Sequence, residues 1–395
     1  MQQSLALPSV PSPAGHDAFS IPTGRRTLID VRDQVTGDDR GKWDTVVRAR
    51  DITLRSGRLH FAQAANEGYD GGLALSPWAM AQACQKLGIP SAYFRKCPPD
   101  LQDNQFNHWT RYNEMVSGLT KGDRESERDS NWLLRAKGQA VRGILSPRYA
   151  RLDNRQLMDA LLPLVQESRY QVGLAHLNGE SFHLRLVDPT IARDVLPGDR
   201  LLVGIHVANS EVGLRAVTVD ALVFRVVCTN GLIRRVNNRS LLKQRHIHIS
   251  EPRFREMLGE ALREAVTVAA GFIEQMALAT RTPVPDPDHA IDLVAEAWEL
   301  PRQTADMVKF SLHGETGQQE TLYGLVNALT QASQRLARIE DRVELETRAG
   351  ALIDTVASRG GYSALRQRIL SPVSPVSPLS PVSPLSPLSP LSPVK

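Results

Sequence analysis

Apolar positions recur with two different periods along this chain, and the change of period divides it. Between about residues 76 and 109 the spacing is helical. Ser76-Pro77 opens a helix that Gly88 closes after WAMAQACQKL, the serine hydroxyl capping free amides and the proline fitting the first turn. A short helix at Ser91 to Arg95, stopped by Pro98-Pro99, and a third from Asp100 through Trp109 follow. From about residue 139 the period becomes two. QAVRGIL, SFHLRLV (Ser181 to Val187), LLVGIHV (Leu201 to Val207) and AVTVDALVFRVVCT (Ala216 to Thr229) read as strands, and Asn230-Gly231 reads as a tight hairpin turn into LIRRV. One helix interrupts them, capped at Asp153-Asn154, with Leu157, Leu161, Leu164 and Val165 on one face. After Pro252 the helical spacing returns. Leu322, Leu325, Val326, Leu329, Leu336 and Ile339 mark a core-facing stripe on the last helix, which runs from TLYGLV to ALIDTV.

This pattern predicts an α+β fold: a curved antiparallel β-sheet with a packed helix, flanked by N-terminal and C-terminal helical segments. Low alternation of strand and helix disfavours a doubly wound parallel sheet. One domain is expected over residues 41–362, helical over 41–135, sheet over 136–250 and helical again over 251–362. Residues 1–40, rich at first in Ser, Pro, Ala and Gly, read as a mobile arm. Residues 363–395 read as a disordered tail, because Ser-Pro-Val or Ser-Pro-Leu repeats eight times from Ser371 and proline at every third place forbids helix.

Composition adds little to the fold and something to the function. Hydrophobic residues at 42% and charged residues at 23% are ordinary globular values. The net charge is only +4, yet eight of the 47 basic residues are lysine, so arginine supplies nearly all the positive charge. Arginine forks onto phosphate and stacks on bases, although codon bias in a GC-rich genome is the better account of a whole-chain excess. Local clustering separates the two. From Ala221 to Ser250 lie Arg225, Arg234, Arg235, Arg239, Lys243 and Arg245, with no Asp or Glu, and Asn237, Asn238 and Gln244 as further hydrogen-bonding groups. This basic hairpin is the expected nucleic-acid contact; the alternative is that acids elsewhere in the fold neutralise it.

Cys84, Cys97 and Cys228 form no CxxC pair, so no disulfide framework or structural zinc is expected. Cys228 ends a strand and raises the nucleophile question, with histidines at 206, 246 and 248, but a buried cysteine closing a strand accounts for it more simply. His246-x-His248 lacks a third ligand, and PDPDH reads as a helix start through Asp288 rather than a cluster of Asp286, Asp288 and His289 on a metal. Walker, GxGxxG, HExxH and GxSxG signatures are absent. No catalytic residue, metal or cofactor is therefore assigned. The N-terminus has no signal-peptide pattern and no run is long enough to span a membrane, so a cytoplasmic location is expected.

GQAVRGILSPRYARLDNRQLMDAL, GDRLLVGIHVANSEVGLRAVTVDALVFRVVCTNGLI and GLVNALTQASQ together resemble the phage/plasmid-like family known as domain of unknown function 932, and LGIPSAYFRK and FNHWTRYN upstream are similar to its helical N-terminal part. The motif elements are Asn209, Ser210, Glu211 and Gly213, then Cys228, Thr229, Asn230 and Gly231. Glu211 has no explanation from turn chemistry. The resemblance implies a product of a phage, plasmid or integrated element and carries no known reaction. The functional expectation is a non-enzymatic nucleic-acid-associated protein, single-stranded DNA favoured, with self-association and a tail partner open. Two alternatives stand: an enzyme using Cys228 with a histidine or a carboxylate set, and an assembly protein with an exposed apolar face.

Overall fold

The computed structural model describes residues 26–120, 131–165, 169–226, 230–236, 239–247, 249–315, 317–354 and 361–370. The fold is α+β, built on two six-stranded sheets. The first contains β1 (Lys42–Arg48), β2 (Thr53–Arg55), β3 (Arg58–His60), β4 (Leu73–Leu75), β5 (Asn131–Lys137) and β6 (Ala140–Leu145), in the order β1-β5-β6-β4-β3-β2. The segment read as helical over 41–135 does carry helices, and it also carries five of these strands. Three of the five are only three residues long, too short for alternation to register.

The second sheet is antiparallel: β7 (Gln171–Leu177), β8 (Phe182–Leu196), β9 (Asp199–Asn209), β10 (Val217–Arg225) and β11 (Asn230–Arg234) in spatial order, with β12 (Leu242–Gln244) also on β10. Its strands send alternate residues to the main core, with bulges in β7 and β8. Phe182, Leu184 and Leu186 of β8, Val203, Ile205 and Val207 of β9, and Val219, Ala221 and Val223 of β10 face the main core.

Helices complete both layers. α1 (Leu28–Asp39) packs Leu28, Val31 and Val35 into the main core and is closed by a Thr27–Asp30 capping box, so residues 26–40 are not an arm. α2 is Ala62–Asn66; α3 (Pro77–Leu87) has the expected Ser76 cap and a left-handed Gly88. α4 (Ser91–Phe94) and α5 (Pro99–Thr120) cover the first sheet; α6 (Asn154–Leu161) has the expected Asp153 cap. α7 (Glu251–Ala279) lies across β8, β9 and β10, burying Leu258, Leu262, Phe272 and Met276.

α8 (Pro287–Ala297) and α9 (Arg302–His313) lead to α10 (Leu322–Ser333) and α11 (Ile339–Leu352). The expected single last helix is thus two, and α11 turns back over the other face of the second sheet, where Ile339 and Val343 meet Leu222, Phe224 and Ile233. α8 is capped by Asp286, which accepts from the His289 amide, rather than by Asp288. α12 (Gly361–Leu370) buries Leu365 and Ile369, so helix extends into the segment read as tail. Residues 1–25 and 371–395 lie outside the described residues. No helix of the described residues is long and apolar enough to cross a membrane.

Candidate functional site

Acids distant in sequence fold onto much of the acid-free segment. Arg225 pairs with Asp199 and Glu315, each at 2.7 Å, and lies over the Tyr323 ring, whose hydroxyl donates to Asp199. Arg234 pairs with Asp354 and covers Phe272, and Arg235 pairs with buried Asp220 at 3.1 Å. Arg239, Lys243 and Arg245 are exposed and have no ion pair among the described residues. Lys243 lies on edge strand β12 opposite Thr218, and Arg245 follows two residues later on the same exposed face. His246 between the exposed positions turns inward and stacks on Tyr149 at 4.6 Å. Asn237, Asn238 and His248 lie outside the described residues, as do Cys228 and Thr229, and with them the nucleophile question.

The Asn-Gly pair is not the turn that its composition suggests. Asn230 and Gly231 already belong to β11, opposite Arg225 and Phe224. Gly231 is closely approached by side chains: a Cβ there would meet Arg185 Nη1 and Leu222 Cδ1, each at 2.9 Å, so one of them would have to shift.

The Asn209–Gly213 loop is a junction between the sheets. The Asn209 amide donates to the Leu152 carbonyl and to Asn154 Oδ1, and the Ser210 hydroxyl donates to the Glu180 carbonyl and receives the Leu214 amide. Gly213 turns at φ +80° against Leu145. Glu211 now has an account: it is buried and binds Lys42 at 2.8 Å, Arg142 at 3.0 Å and the Asn154 amide at 3.0 Å. Beside it, Arg135 donates to the Glu211 carbonyl, forks onto Asp153 and reaches Asp44 at 3.1 Å. Four elements are thereby tied through one carboxylate and one guanidinium.

A polar row that the sequence reading did not single out crosses the α11 face of the second sheet. His183 and Arg185 on β8, His206 on β9 and Asp220 on β10 occupy the alternate positions opposite the apolar core residues. His183 and His206 stack at 5.3 Å with a 3.1 Å contact between Nδ1 and Nε2; Asp220 lies 3.7 Å from His206 Nδ1 and holds Arg235. Arg185 forks onto Glu346 of α11, which Gln334 also engages. Burial pushes His206 down to about 4 and His183 well below the usual histidine range, so both are neutral. Burial also pushes Asp220 up, but Arg235 and His206 outweigh it and hold the acid at about 2. The signal for this row was present: polar residues at every second place in strands otherwise apolar on both faces.

The row ends at a cavity of about 400 Å³ where the two sheets and the start of α11 meet, lined among others by Arg142, His176, Glu180, Arg338 and Glu340. Glu340 accepts from the Ser181 hydroxyl at 2.6 Å and lies 3.9 Å from His183 Nε2. No group of three or more His, Cys, Asp or Glu side chains among the described residues is arranged to hold a metal ion.

The other conspicuous feature is open to water. On α5, Leu101, Gln105, His108, Trp109 and Tyr112 follow helical spacing along one face, while Phe106 and Thr110 on the opposite side are buried. Trp109 and Tyr112 meet edge to face at 5.3 Å, and His108 stacks on Tyr112 at 5.8 Å. Trp109 is 36% and Tyr112 42% exposed, and the 50% exposed Tyr93 joins them through its hydroxyl to Gln105. Exposed Arg95, Lys96 and Arg111 flank the stripe and have no ion pair among the described residues.

Comparison with curated proteins finds no match, and comparison with solved structures finds none. The family model described as domain of unknown function (DUF932) matches residues 141–359, which span both the junction loop and the polar row. The segment carrying the α5 stripe precedes that match. The chain belongs to the DUF932 family.

Proposed function

We propose that this is a cytoplasmic, non-enzymatic nucleic-acid-associated protein of a phage, plasmid or integrated element, and that it takes single-stranded DNA in replication, recombination or repair. One observation carries the reading: the exposed aromatic stripe of α5, with Arg95, Lys96 and Arg111 beside it. Stacked rings in water leave apolar faces uncovered, and unpaired bases cover such faces without regard to sequence, while arginines neutralise the backbone. Arg239, Lys243 and Arg245 are the part of the basic segment whose charge stays available for phosphate. Arg225, Arg234 and Arg235 are withdrawn from that role by their carboxylates. The mobile-element context rests on the sequence resemblance alone.

The test is binding to single-stranded DNA, duplex DNA and RNA at two salt concentrations, with Trp109→Ala and Tyr112→Ala. Single-stranded DNA should bind most tightly, and each substitution should weaken it by about 1–3 kcal/mol. Both side chains are more than half covered, so the melting temperature of each variant is measured beside its affinity, and the binding loss is read on protein that stays folded at the assay temperature. Absence of single-strand binding by the unaltered protein at low salt rules the reading out. Preference for duplex with no effect of either substitution moves the site away from α5.

A further inference from the structure

We propose that the Ser-Pro-Val/Leu repeat of residues 371–395 docks on the aromatic stripe of α5 and covers it until a ligand displaces it. Proline recurs at every third place in this segment, always after serine and before leucine or valine. Its ring fixes φ near about −65° and removes the backbone donor, which favours the left-handed polyproline II helix with three residues per turn. One triplet is then one turn. Prolines line up along one edge, leucines and valines along a second, and serines along the third. Two of the three edges are apolar, and the backbone carbonyls have no partner within such a helix.

Aromatic rings set side by side with free donors are the surface that takes such a helix. The stripe has these parts. Trp109 and Tyr112 stand edge to face at 5.3 Å, and Tyr93, half exposed, joins them through Gln105. The Trp109 indole N–H and the Tyr112 hydroxyl have no hydrogen-bond partner among the described residues, so each is free to donate to a polyproline carbonyl. From Leu101 to Tyr112 the stripe runs about 16 Å along α5 at 1.5 Å per residue, and two triplets span about 19 Å.

Charge and reach favour this occupant over a second copy. Arg95, Lys96 and Arg111 flank the stripe, so two stripes face to face would bring like charges together, whereas Ser371 to Val394 carry no charged side chain. α12 ends at Leu370, and the 25 residues beyond it reach about 78 Å at 3.1 Å each. That exceeds the roughly 50 Å across a domain of this size, so the first triplets can bridge while later ones dock. Eight near-identical triplets offer several registers, and the tether holds them at about millimolar effective concentration. The docking does not rest on the single-strand reading; where both hold, the tail and the bases compete for the same rings.

Two full-length chains test this: the parent, and a variant with serine in place of the leucine or valine at positions 373, 376, 379, 382, 385, 388, 391 and 394. The variant keeps every proline and every described residue. The indole signal of Trp109 in a proton–nitrogen correlation spectrum, identified by its loss in Trp109→Phe, should lie at different shifts in the two chains. The signals of Trp43, Trp78, Trp132 and Trp298 should coincide. A synthetic peptide of four Ser-Pro-Leu triplets, added to the variant, should return the Trp109 signal toward its parental position with half-saturation at about 1 mM or below. An unchanged Trp109 signal, or no response to the peptide, overturns the proposal. A parental signal that moves with protein concentration overturns it as well, because a second copy is then the occupant. No nucleic acid enters the measurement, so its outcome and that of the single-strand test are separate.

Discussion

The polar row on the second sheet and the aromatic stripe on α5 are opposite answers to the same physical demand. In the row, ionisable groups are shut away from water, and each is either met by a countercharge or left neutral: Arg235 by Asp220, Arg185 by Glu346, His183 and His206 by loss of the proton. On the stripe, Trp109, Tyr112 and Tyr93 keep a third to a half of their surface in water. Buried charge met by countercharge signals a part whose alteration changes folding; apolar surface left in water signals a part whose alteration changes binding.

Acid should break the row most. A histidine held neutral in the folded state binds its proton in the unfolded state first. Stability is therefore complete above pH about 6.5 and is lost as pH falls toward 4, at about 1.4 kcal/mol per pH unit for each histidine. His206 and His246, both lowered to about 4 chiefly by burial, and His183, also pushed well below the usual histidine range by burial, act together, so the loss is a large part of the stability of an ordinary domain. Asp220, held at about 2, keeps its contribution throughout this window. Urea unfolding at pH 7, 6 and 5 should show the decline. His246→Phe, which retains a ring on Tyr149, should make it about one third shallower. A flat profile would show that these side chains are hydrated in the folded state.

A charge substitution should come next. Arg185→Met leaves the Glu346 carboxylate buried without its guanidinium and should cost about 3–5 kcal/mol. Adding Glu346→Leu removes the orphaned charge, and most of the loss should return in the same unfolding assay. A single variant as stable as the parent would mean that α11 does not cover this face.

The row and the stripe also differ in how far each was legible beforehand. Strands β8, β9 and β10 showed because each is a long run rich in β-branched and apolar residues, and α3 showed because Ser76-Pro77 and Gly88 mark both ends. The short strands of the first sheet did not, and β4 lies beside β6 only through a pairing distant in sequence. The basic segment was visible as composition, but its neutralisation was not: Arg225 meets Glu315 across 90 residues, a distance at which periodicity carries no information. Glu211 likewise looked unexplained because its partners Lys42 and Arg142 come from the other sheet. The α5 stripe shows the reverse. Its helical spacing was readable, yet only the structure shows that this face, rather than the one with Phe106, is the open one.

The smallest effect separates the two kinds of charge inside the basic segment itself. Replacing Arg239, Lys243 and Arg245 with glutamine keeps polar length and removes three exposed charges. If all three meet phosphates of one strand, the slope of log affinity against log salt becomes shallower by roughly two units, about 0.7 per contact. Folding should hold, since exposed charges add little stability. The matched triple, Arg225, Arg234 and Arg235 to glutamine, removes the same number of charges from the same stretch, but from groups bound to Asp199, Glu315, Asp354 and Asp220. It should lower stability markedly, because the changes at Arg225 and Arg235 strand the buried carboxylates of Asp199, Glu315 and Asp220, and any fraction that stays folded should keep the parent's salt slope. An equal change of slope in both triples would show that the internal pairs open to phosphate. No change in either would remove the hairpin from the binding surface and leave α5 to act without it.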